Sequence, residues 1–207
     1  MDTQASIWEE RYTCGNSVLN SYEPWLEKWG PFLAARQGKA LDIGCGFGFD
    51  TEWLSRSGFS VTAIDFSANA IEAAKQRIPD AAFRVVDLRK GLPFGDRTFS
   101  LCVASLSLHY FDRQTTRFIF NEIRRCLCSN GGLLFRVNAA GDVNEGALGT
   151  EELWDCVEVK GVWKQFFSRR KIDQILADLF RIESLEYMGT DRFGKPKAIY
   201  EVAAYAL

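Results

Sequence analysis

The run Leu41-Asp42-Ile43-Gly44-Cys45-Gly46-Phe47-Gly48-Phe49-Asp50 constrains this chain more than any other segment, because it reads as a buried strand that enters a glycine-rich turn and leaves as a helix. Gly44 can adopt the backbone angles of a tight turn, Gly46 lets main chain approach a ligand with no Cβ in the way, and Gly48 allows the following helix to pack close on the strand. Such a turn cradles a nucleotide-like ligand. A pyrophosphate-binding loop reads G-x-G-x-x-G, which from Gly44 would put the third glycine at Phe49, whereas here it falls one residue early, at Gly48. Asp42, at the end of the strand, would repel a pyrophosphate and attract a cationic group. The ligand expected here has a positive end.

Strand and helix then alternate as an open α/β sheet requires. Phe49 to Ser57 reads as a helix closed by Gly58, 59–64 as a strand ending at Asp65, and Ser67 as the N-cap of a helix from Ala68 to Arg77. Ala82 to Val86 makes a third strand ending at Asp87, and Thr98 to Ala104 makes a fourth. Asp112 caps a helix from Arg113 to Leu127, and Ser129 to Gly132 turns the chain into a fifth strand, Leu133 to Val137. Ser168 caps a helix from Arg169 to Leu179, after which Arg181 to Tyr187 and Ala198 to Tyr205 are strand-like runs that pair antiparallel. Parallel sheets bind ligands outside the carboxyl ends of their strands, so Asp42, Asp65, Asp87 and Ala104-Ser105 converge on one crevice. Asp65 lies about twenty residues past the glycine loop, where a carboxylate accepts from both ribose hydroxyls and repels a 2′-phosphate.

The spacing D-x-G-x-G-x-G followed by an acid after the next strand resembles motif I of the class I S-adenosylmethionine-dependent methyltransferases. "Asp-Arg-Thr-Phe-Ser-Leu-Cys-Val-Ala", "Leu-His-Tyr-Phe" and "Ile-Arg-Arg-Cys-Leu-Cys-Ser-Asn-Gly-Gly-Leu-Leu" resemble motifs IV to VI of its small-molecule members, a group that includes tellurite-resistance, trans-aconitate and ubiquinone/menaquinone-biosynthesis enzymes. The likeness covers residues 38–138 closely and the rest loosely. It implies a Rossmann-like α/β fold: a seven-stranded, mostly parallel sheet flanked by helices, with the last strand antiparallel and inserted between the fifth and sixth. S-adenosyl-L-methionine is the implied cofactor and S-adenosyl-L-homocysteine the product. The implied cofactor residues are Asp42, Gly44, Cys45, Gly46 and Gly48 around the loop, Asp65 on the ribose and Phe66 along the adenine. Asp87 would accept from the adenine amine with Leu88 as neighbouring donor and apolar surface, and Ala104 and Ser105 close the set. Asp87 as a turn former before Arg89 stays an open alternative.

The segment before the first strand carries Trp8, Arg11, Tyr12, Tyr22, Trp25 and Trp29. Trp8-Glu-Glu-Arg11-Tyr12 resembles the aromatic-basic signature of an N-terminal helical segment that covers the cofactor in relatives, with Arg11 or Tyr12 near the methionine carboxylate. The alternative is a helix packed on the sheet with its aromatics as core. Gly15 and Gly30-Pro31 are candidate hinges. Between Asn138 and Phe167 come Gly141, Gly146 and Gly149, then Trp154 and Trp163, in a region that walls the acceptor pocket in relatives; a satellite apolar cluster is the competing reading.

At 207 residues one domain is expected, divided into a lid segment (1–37), a cofactor-binding core (38–138) and an acceptor-pocket region with the closing strands (139–207). A net charge of −2 and basic residues in short groups make nucleic acid a poor partner. Six cysteines with no C-x-x-C, beside one histidine, form no zinc pattern, so no metal is expected and the thiols read as reduced, in a cytoplasmic protein. No run approaches a membrane span. The oligomeric state is not legible.

Methyl transfer asks little of side chains, since the sulfonium methyl is already electrophilic and the enzyme must hold an acceptor in line and exclude water. Ala104-Ser-Leu-Ser lacks the Asn/Asp-Pro-Pro-aromatic run of amide or adenine-amine methylation, there is no Pro-Cys for attack on cytosine, and no acid cluster suggests a metal-chelated catechol. A small-molecule nucleophile remains. His109, the only histidine, follows the fourth strand and is the candidate catalytic residue, as a general base or as pocket wall. The alternatives to a transferase are a protein that binds S-adenosylmethionine or S-adenosylhomocysteine without turnover and a nicotinamide-dependent oxidoreductase, the latter disfavoured by Gly48 and Asp42.

Overall fold

The computed structural model describes residues 3–13, 22–142, 156–190 and 197–207; Gly15, Gly146, Gly149 and Trp154 lie outside the described residues. The first five strands are β1 (Lys39–Ile43), β2 (Ser60–Asp65), β3 (Ala82–Val85), β4 (Phe99–Ser105) and β5 (Leu127–Asn138). A hairpin of β6 (Val157–Val159) and β7 (Val162–Lys164) follows, then β8 (Phe180–Thr190) and β9 (Lys197–Ala206). Apart from the hairpin they form one sheet in the order β3-β2-β1-β4-β5-β9-β8. β1 to β5 are parallel, and β9 runs antiparallel between β5 and β8, as the family resemblance implies. The strand order reverses between β1 and β4, and ligands bind parallel sheets at that point.

Among the described residues the α-helices are α1 (Thr3–Thr13), α2 (Gly30–Ala34), α3 (Phe49–Arg56), α4 (Ala68–Arg77), α5 (Arg113–Cys126) and α6 (Arg169–Leu176). Because side chains alternate along a strand, β1, β4 and β5 present two apolar faces, and both are buried. One carries Leu41, Ile43, Cys102, Leu133 and Phe135 against Ile119 and Ile123 of α5 and Ile172 of α6. The other carries Ala40, Leu101, Val103 and Leu134 against Trp25, Leu26, Trp29 and Leu33. The aromatic leader therefore divides: 22–36 is sheet packing, the alternative reading, and among the described residues α1 is the part that remains to cover a crevice. Charge fastens the packed part, with Lys28 Nζ 2.5 Å from Glu201 and 3.0 Å from Glu186, and Arg136 Nη2 2.6 Å from Glu23.

Several boundaries differ from expectation. Residues 129–132 do not separate a helix from a strand: β5 begins at Leu127, and its pairing with β4 jumps from Phe99 opposite Leu127 to Leu101 opposite Gly132, so the turn residues, with Asn130 at φ 57°, form a bulge inside the strand. α6 stops at Leu176, where Ala177 turns out of the helix with ψ 136° and Asp178 follows at a left-handed φ of 63°. Gly30-Pro31 is no hinge; the proline opens α2, where its missing N–H costs nothing. Trp163 is 51 % exposed, which removes it from both a buried cluster and a pocket wall. No helix among the described residues is long and apolar enough to cross a membrane.

Candidate functional site

The glycine loop is fixed from below by main chain, since Gly44 and Cys45 both donate to the Ile64 carbonyl at 2.7 and 3.0 Å. Gly44, Gly46 and Gly48 have φ of 72°, 53° and 80°, a region where a Cβ is strained. A Cβ on Gly44 would also strike Ser107, whose Oγ stands 2.9 Å from that position and donates to the Ile43 carbonyl at 2.6 Å. A Cβ on Gly48 would come within 2.8 Å of Ile78 and 3.1 Å of Ala74, so what this glycine permits is close packing on α4 and its C-cap, not on the strand as expected. The place of a Gly46 Cβ is approached by the Tyr12 hydroxyl, 2.9 Å away. α1 therefore lies on the loop.

The acids end their strands as expected, each in a different state. Asp42 is buried and accepts from Thr51 Oγ1 at 2.6 Å, which ties the strand end to the first turn of α3. Its burial and the neighbouring Asp50 and Asp65 carboxylates push its pKa up to about 8. Asp50, which the sequence reading passed over, accepts from Trp25 Nε1 at 3.0 Å. Asp65 bridges two loops: Oδ2 accepts from Gly46 N and Oδ1 from Ser67 N, both at 2.9 Å. Burial raises its pKa, although these hydrogen bonds oppose the shift. Phe66 N also donates to this carboxylate, which retains acceptor capacity for a ligand hydroxyl.

Asp87 caps a 3-10 turn, Leu88–Lys90, by accepting from Arg89 N, and also holds the Arg89 guanidinium through both oxygens. That is the turn-former reading, and it leaves the carboxylate at the crevice edge with Leu88 beside it. Arg89 lies over the Phe66 ring at 5.9 Å, joining the two adenine-side candidates. Cys45 and Ala104 reach the crevice only through main chain. The Cys45 side chain packs on Ala63 and Ile71, and Ala104 belongs to the core under α5.

α1 contributes Trp8, Arg11 and Tyr12 as one stack: Arg11 sits 4.8 Å over Trp8, Trp8 meets Tyr110 edge-on at 5.2 Å, and Tyr12 meets Phe47 at 5.0 Å. The residue that fastens α1 is Glu9. Its carboxylate accepts from Ser67 Oγ and Ala68 N at 2.8 Å and from Asn69 N at 3.1 Å, a full cap on the amino end of α4. Burial pushes the Glu9 carboxyl up, but the hydrogen bonds from Ala68, Ser67 and Asn69 outweigh it and hold it below its ordinary value. The sequence named Ser67 as the N-cap of α4; the part of Glu9 in that cap was not foreseen.

At the ends of β4 and β5 stand Ser105 and the fully buried His109; among the described residues neither the buried Ser105 Oγ nor either ring nitrogen of His109 has a hydrogen-bond partner. Burial, with lesser contributions from Lys197 and Lys164, depresses the His109 pKa well below 6.5. The ring is uncharged at neutral pH and a weaker base than a free imidazole. The loop that carries it is clamped on both sides, with Leu106 N donating to the Arg136 carbonyl at 2.9 Å and Gln165 N to the His109 carbonyl at 2.7 Å. The described residues contain no cluster of three or more histidine, cysteine or acidic side chains arranged to hold a metal.

The family described as "Methyltransferase domain" matches residues 41–135, the segment from β1 through β5 that builds this crevice. This match, over just under half of the chain, and the relatives below support a class I S-adenosylmethionine-dependent methyltransferase. It is similar to a malonyl-[acyl-carrier protein] O-methyltransferase of Hamiltonella defensa, 27 % identical over 65 % of this chain and 50 % of that one. It is also similar to an uncharacterized methyltransferase of Synechocystis sp., 36 % identical over 45 % of this chain and 43 % of the relative. The chain thus spans about half the length of these curated relatives. In fold it matches the Burkholderia thailandensis 1,6-didemethyltoxoflavin-N1-methyltransferase solved with its substrate and S-adenosylhomocysteine, at a TM-score of 0.75 and 18 % identity over 99 % of this chain and 87 % of that one. S-adenosylmethionine is the cofactor of this methyltransferase family.

Proposed function

We propose that this methyltransferase moves the methyl group of S-adenosylmethionine to a small organic acceptor held at the carboxyl ends of β4 and β5. The observation that carries the reading is Asp65: a carboxylate at the end of β2 that is pinned by Gly46 N–H and Ser67 N–H, with lone pairs left over at the crevice. That geometry suits a ribose diol and repels a 2′-phosphate.

Around it, Asp87, Leu88 and Phe66 are assigned to the adenine side, and Gly44, Cys45 main chain, Gly46 and Gly48 to the passage of the cofactor over β1. Asp42 and Asp50 supply a negative field under the cofactor's cationic end. Burial first, and then the neighbouring Asp50 carboxylate, raise the Asp42 pKa, and a positive ligand favours its ionised form. Trp8, Arg11 and Tyr12 on α1 are assigned to the methionine carboxylate and to shutting out water, with Glu9 as the fastening of that lid. Ala104 and Ser105 edge the crevice at the end of β4, and His109 borders the acceptor. The bound cofactor supplies an electrophilic methyl group; the protein supplies position and dryness.

The chain divides functionally as a lid, a cofactor core and an acceptor region, with 22–36 now counted as sheet packing. A cytoplasmic setting is supported by Cys45, Cys102, Cys126 and Cys128 standing as thiols outside any disulfide. Calorimetry tests the cofactor assignment: S-adenosylhomocysteine should bind at least about tenfold more tightly than NADH, and tighter NADH would reverse it. Transfer of a radioactive methyl group to a member of a broad small-molecule panel tests the activity. Tight cofactor binding with no transfer to any of them would mean a binding protein.

A further inference from the structure

The ends of β4 and β5 hold a group of buried polar atoms of which the cofactor assignment uses only Ser105. Ser105 pairs with Arg136 across the parallel strands, and side chains alternate, so Ser105, Arg136 and Asn138 project from the same face of the sheet. It is the face covered by Trp25 and Trp29. Arg136 and Asn138 are 0 % exposed, as is His109 on the loop after β4. Among the described residues, Ser105 Oγ, Arg136 Nη1, both amide atoms of Asn138 and both ring nitrogens of His109 have no hydrogen-bond partner.

Buried polar groups without partners are costly, and a fold tolerates a cluster of them only where something else completes the bonding. The neighbouring backbone shows that the cluster is held in place and is not a loose end. Phe167 N donates to the Asn138 carbonyl at 2.9 Å, Leu106 N to the Arg136 carbonyl at 2.9 Å, and Gln165 N to the His109 carbonyl at 2.7 Å. Arg136 is oriented by Glu23 at 2.6 Å through Nη2, with Glu201 at 3.8 Å from Nε, too far for a hydrogen bond, so Nε and Nη1 are the parts of the fork left over among the described residues. The same loop contacts the cofactor side, where Ser107 fills the space over Gly44. Ser105 and His109 thus flank the stretch that reaches the glycine loop, and Arg136 and Asn138 share the sheet face of Ser105.

Its inventory is rich in donors. Arg136 Nη1 can only donate, Asn138 offers an N–H₂ as well as a carbonyl, and Ser105 and the neutral His109 each bring one donor. The set suits a ligand with several acceptor lone pairs. A cationic amine would face the guanidinium.

We propose that Ser105, His109, Arg136 and Asn138 form the acceptor subsite and that it takes the oxyanion of a small organic acid, making the chain an O-methyltransferase. This deepens the methyltransferase reading and rests on it. In the reaction an oxygen lone pair of the ionised acid forms the new C–O bond as the C–S bond of the sulfonium breaks and its electron pair returns to sulfur. No proton moves, so no general base is required. Arg136, Asn138 and Ser105 hold the oxyanion head, and His109 is a positioning residue.

The test is calorimetric, on the full chain, with and without saturating S-adenosylhomocysteine. The probes are phenylacetate, phenylacetamide and phenethylamine, which share a ring and differ in the charge of the head. Phenylacetate should bind at least about tenfold more tightly than either of the others. Asn138→Asp, nearly isosteric, should weaken phenylacetate by about tenfold or more through like-charge repulsion and leave S-adenosylhomocysteine affinity unchanged. Ser105→Ala should weaken it about threefold or more, a second variant with little risk to folding. Equal or tighter binding of the amide or amine, no acid binding by wild type, or an unchanged acid affinity in both variants overturns the proposal. Failure of S-adenosylhomocysteine to bind is a separate result and strikes the methyltransferase reading instead.

Discussion

Ser67 Oγ donates a 2.8 Å hydrogen bond to the Glu9 carboxylate, linking α1 to the start of α4 across 58 positions of sequence. With Ala68 N and Asn69 N also donating, one side chain closes the lid by the same physics that caps a helix. Glu9→Ala should weaken lid docking by about 1 kcal/mol, the scale of a lost cap. The expected result is faster amide exchange in 3–13 and S-adenosylhomocysteine affinity reduced about fivefold. Because the Glu9 pKa is lowered on docking, the latch is complete above the ordinary carboxyl value and is lost as pH falls through the lowered one. Exchange in α1 that is identical in the variant and wild type would remove Glu9 from this role.

Asp42 makes the opposite prediction. Its pKa rises from 3.8 to about 8 in the fold, so the native state binds a proton that the unfolded chain has released. The stability it contributes is present below pH 3.8 and declines as pH rises toward 8, by about 1.4 kcal/mol per unit when fully expressed. Asp42→Asn mimics the protonated form and should remove much of that slope, leaving the ligand-free variant more stable than wild type at pH 8 by about 1 kcal/mol or more. A cationic ligand favours the ionised carboxylate, so wild-type affinity for S-adenosylmethionine should rise with pH up to about 8 and that rise should vanish in the variant. Parallel stability-versus-pH curves for the two proteins would contradict this.

The sheet was legible because its strands carry their own punctuation: Asp65, Asp87 and Asp112 each mark where one element ends and the next begins. What resisted reading was partnership over distance. Nothing local tells Glu9 that its partner is α4, or Asn138 that it shares a face with Ser105, since both facts follow from strand order and register. Gly48 was read against its adjacent strand when its close neighbours are Ala74 and Ile78 of another helix. Trp163 shows the converse error, an aromatic residue given a role by its type while the hairpin of β6 and β7 turns it outward.

His109 is the only histidine, so its protonation can be followed without mutagenesis. Burial holds its pKa well below 6.5, and its imidazole resonances should therefore stay constant between pH 6 and 8, measured by NMR. A depressed pKa contributes stability that is full above 6.5 and is lost as pH falls toward the folded value. His109→Gln should flatten that acid limb, keep S-adenosylhomocysteine affinity, and raise the acceptor KM with little change in the pH profile of kcat. Titration of the wild-type ring near pH 6.5 would place it in water and out of the acceptor wall.

Asp65 serves two masters, and the prediction has to separate them. Asp65→Ala removes the acceptor for ribose hydroxyls and also the acceptor for Gly46 N–H and Ser67 N–H, so a simple loss of affinity proves little. Its expected size is about 3 kcal/mol, because hydrogen bonds to a charged group are lost. The informative quantity is discrimination between adenosine and 2′-deoxyadenosine. In wild type the missing hydroxyl leaves a buried carboxylate lone pair unmet, and adenosine should bind about tenfold or more tightly. In Asp65→Ala the two nucleosides should bind alike, since neither finds an acceptor. If the substitution acted only by collapsing the glycine loop, both affinities would fall by the same factor and the wild-type ratio would survive. A preserved ratio would take the ribose away from Asp65 and leave it as a bridge between loops.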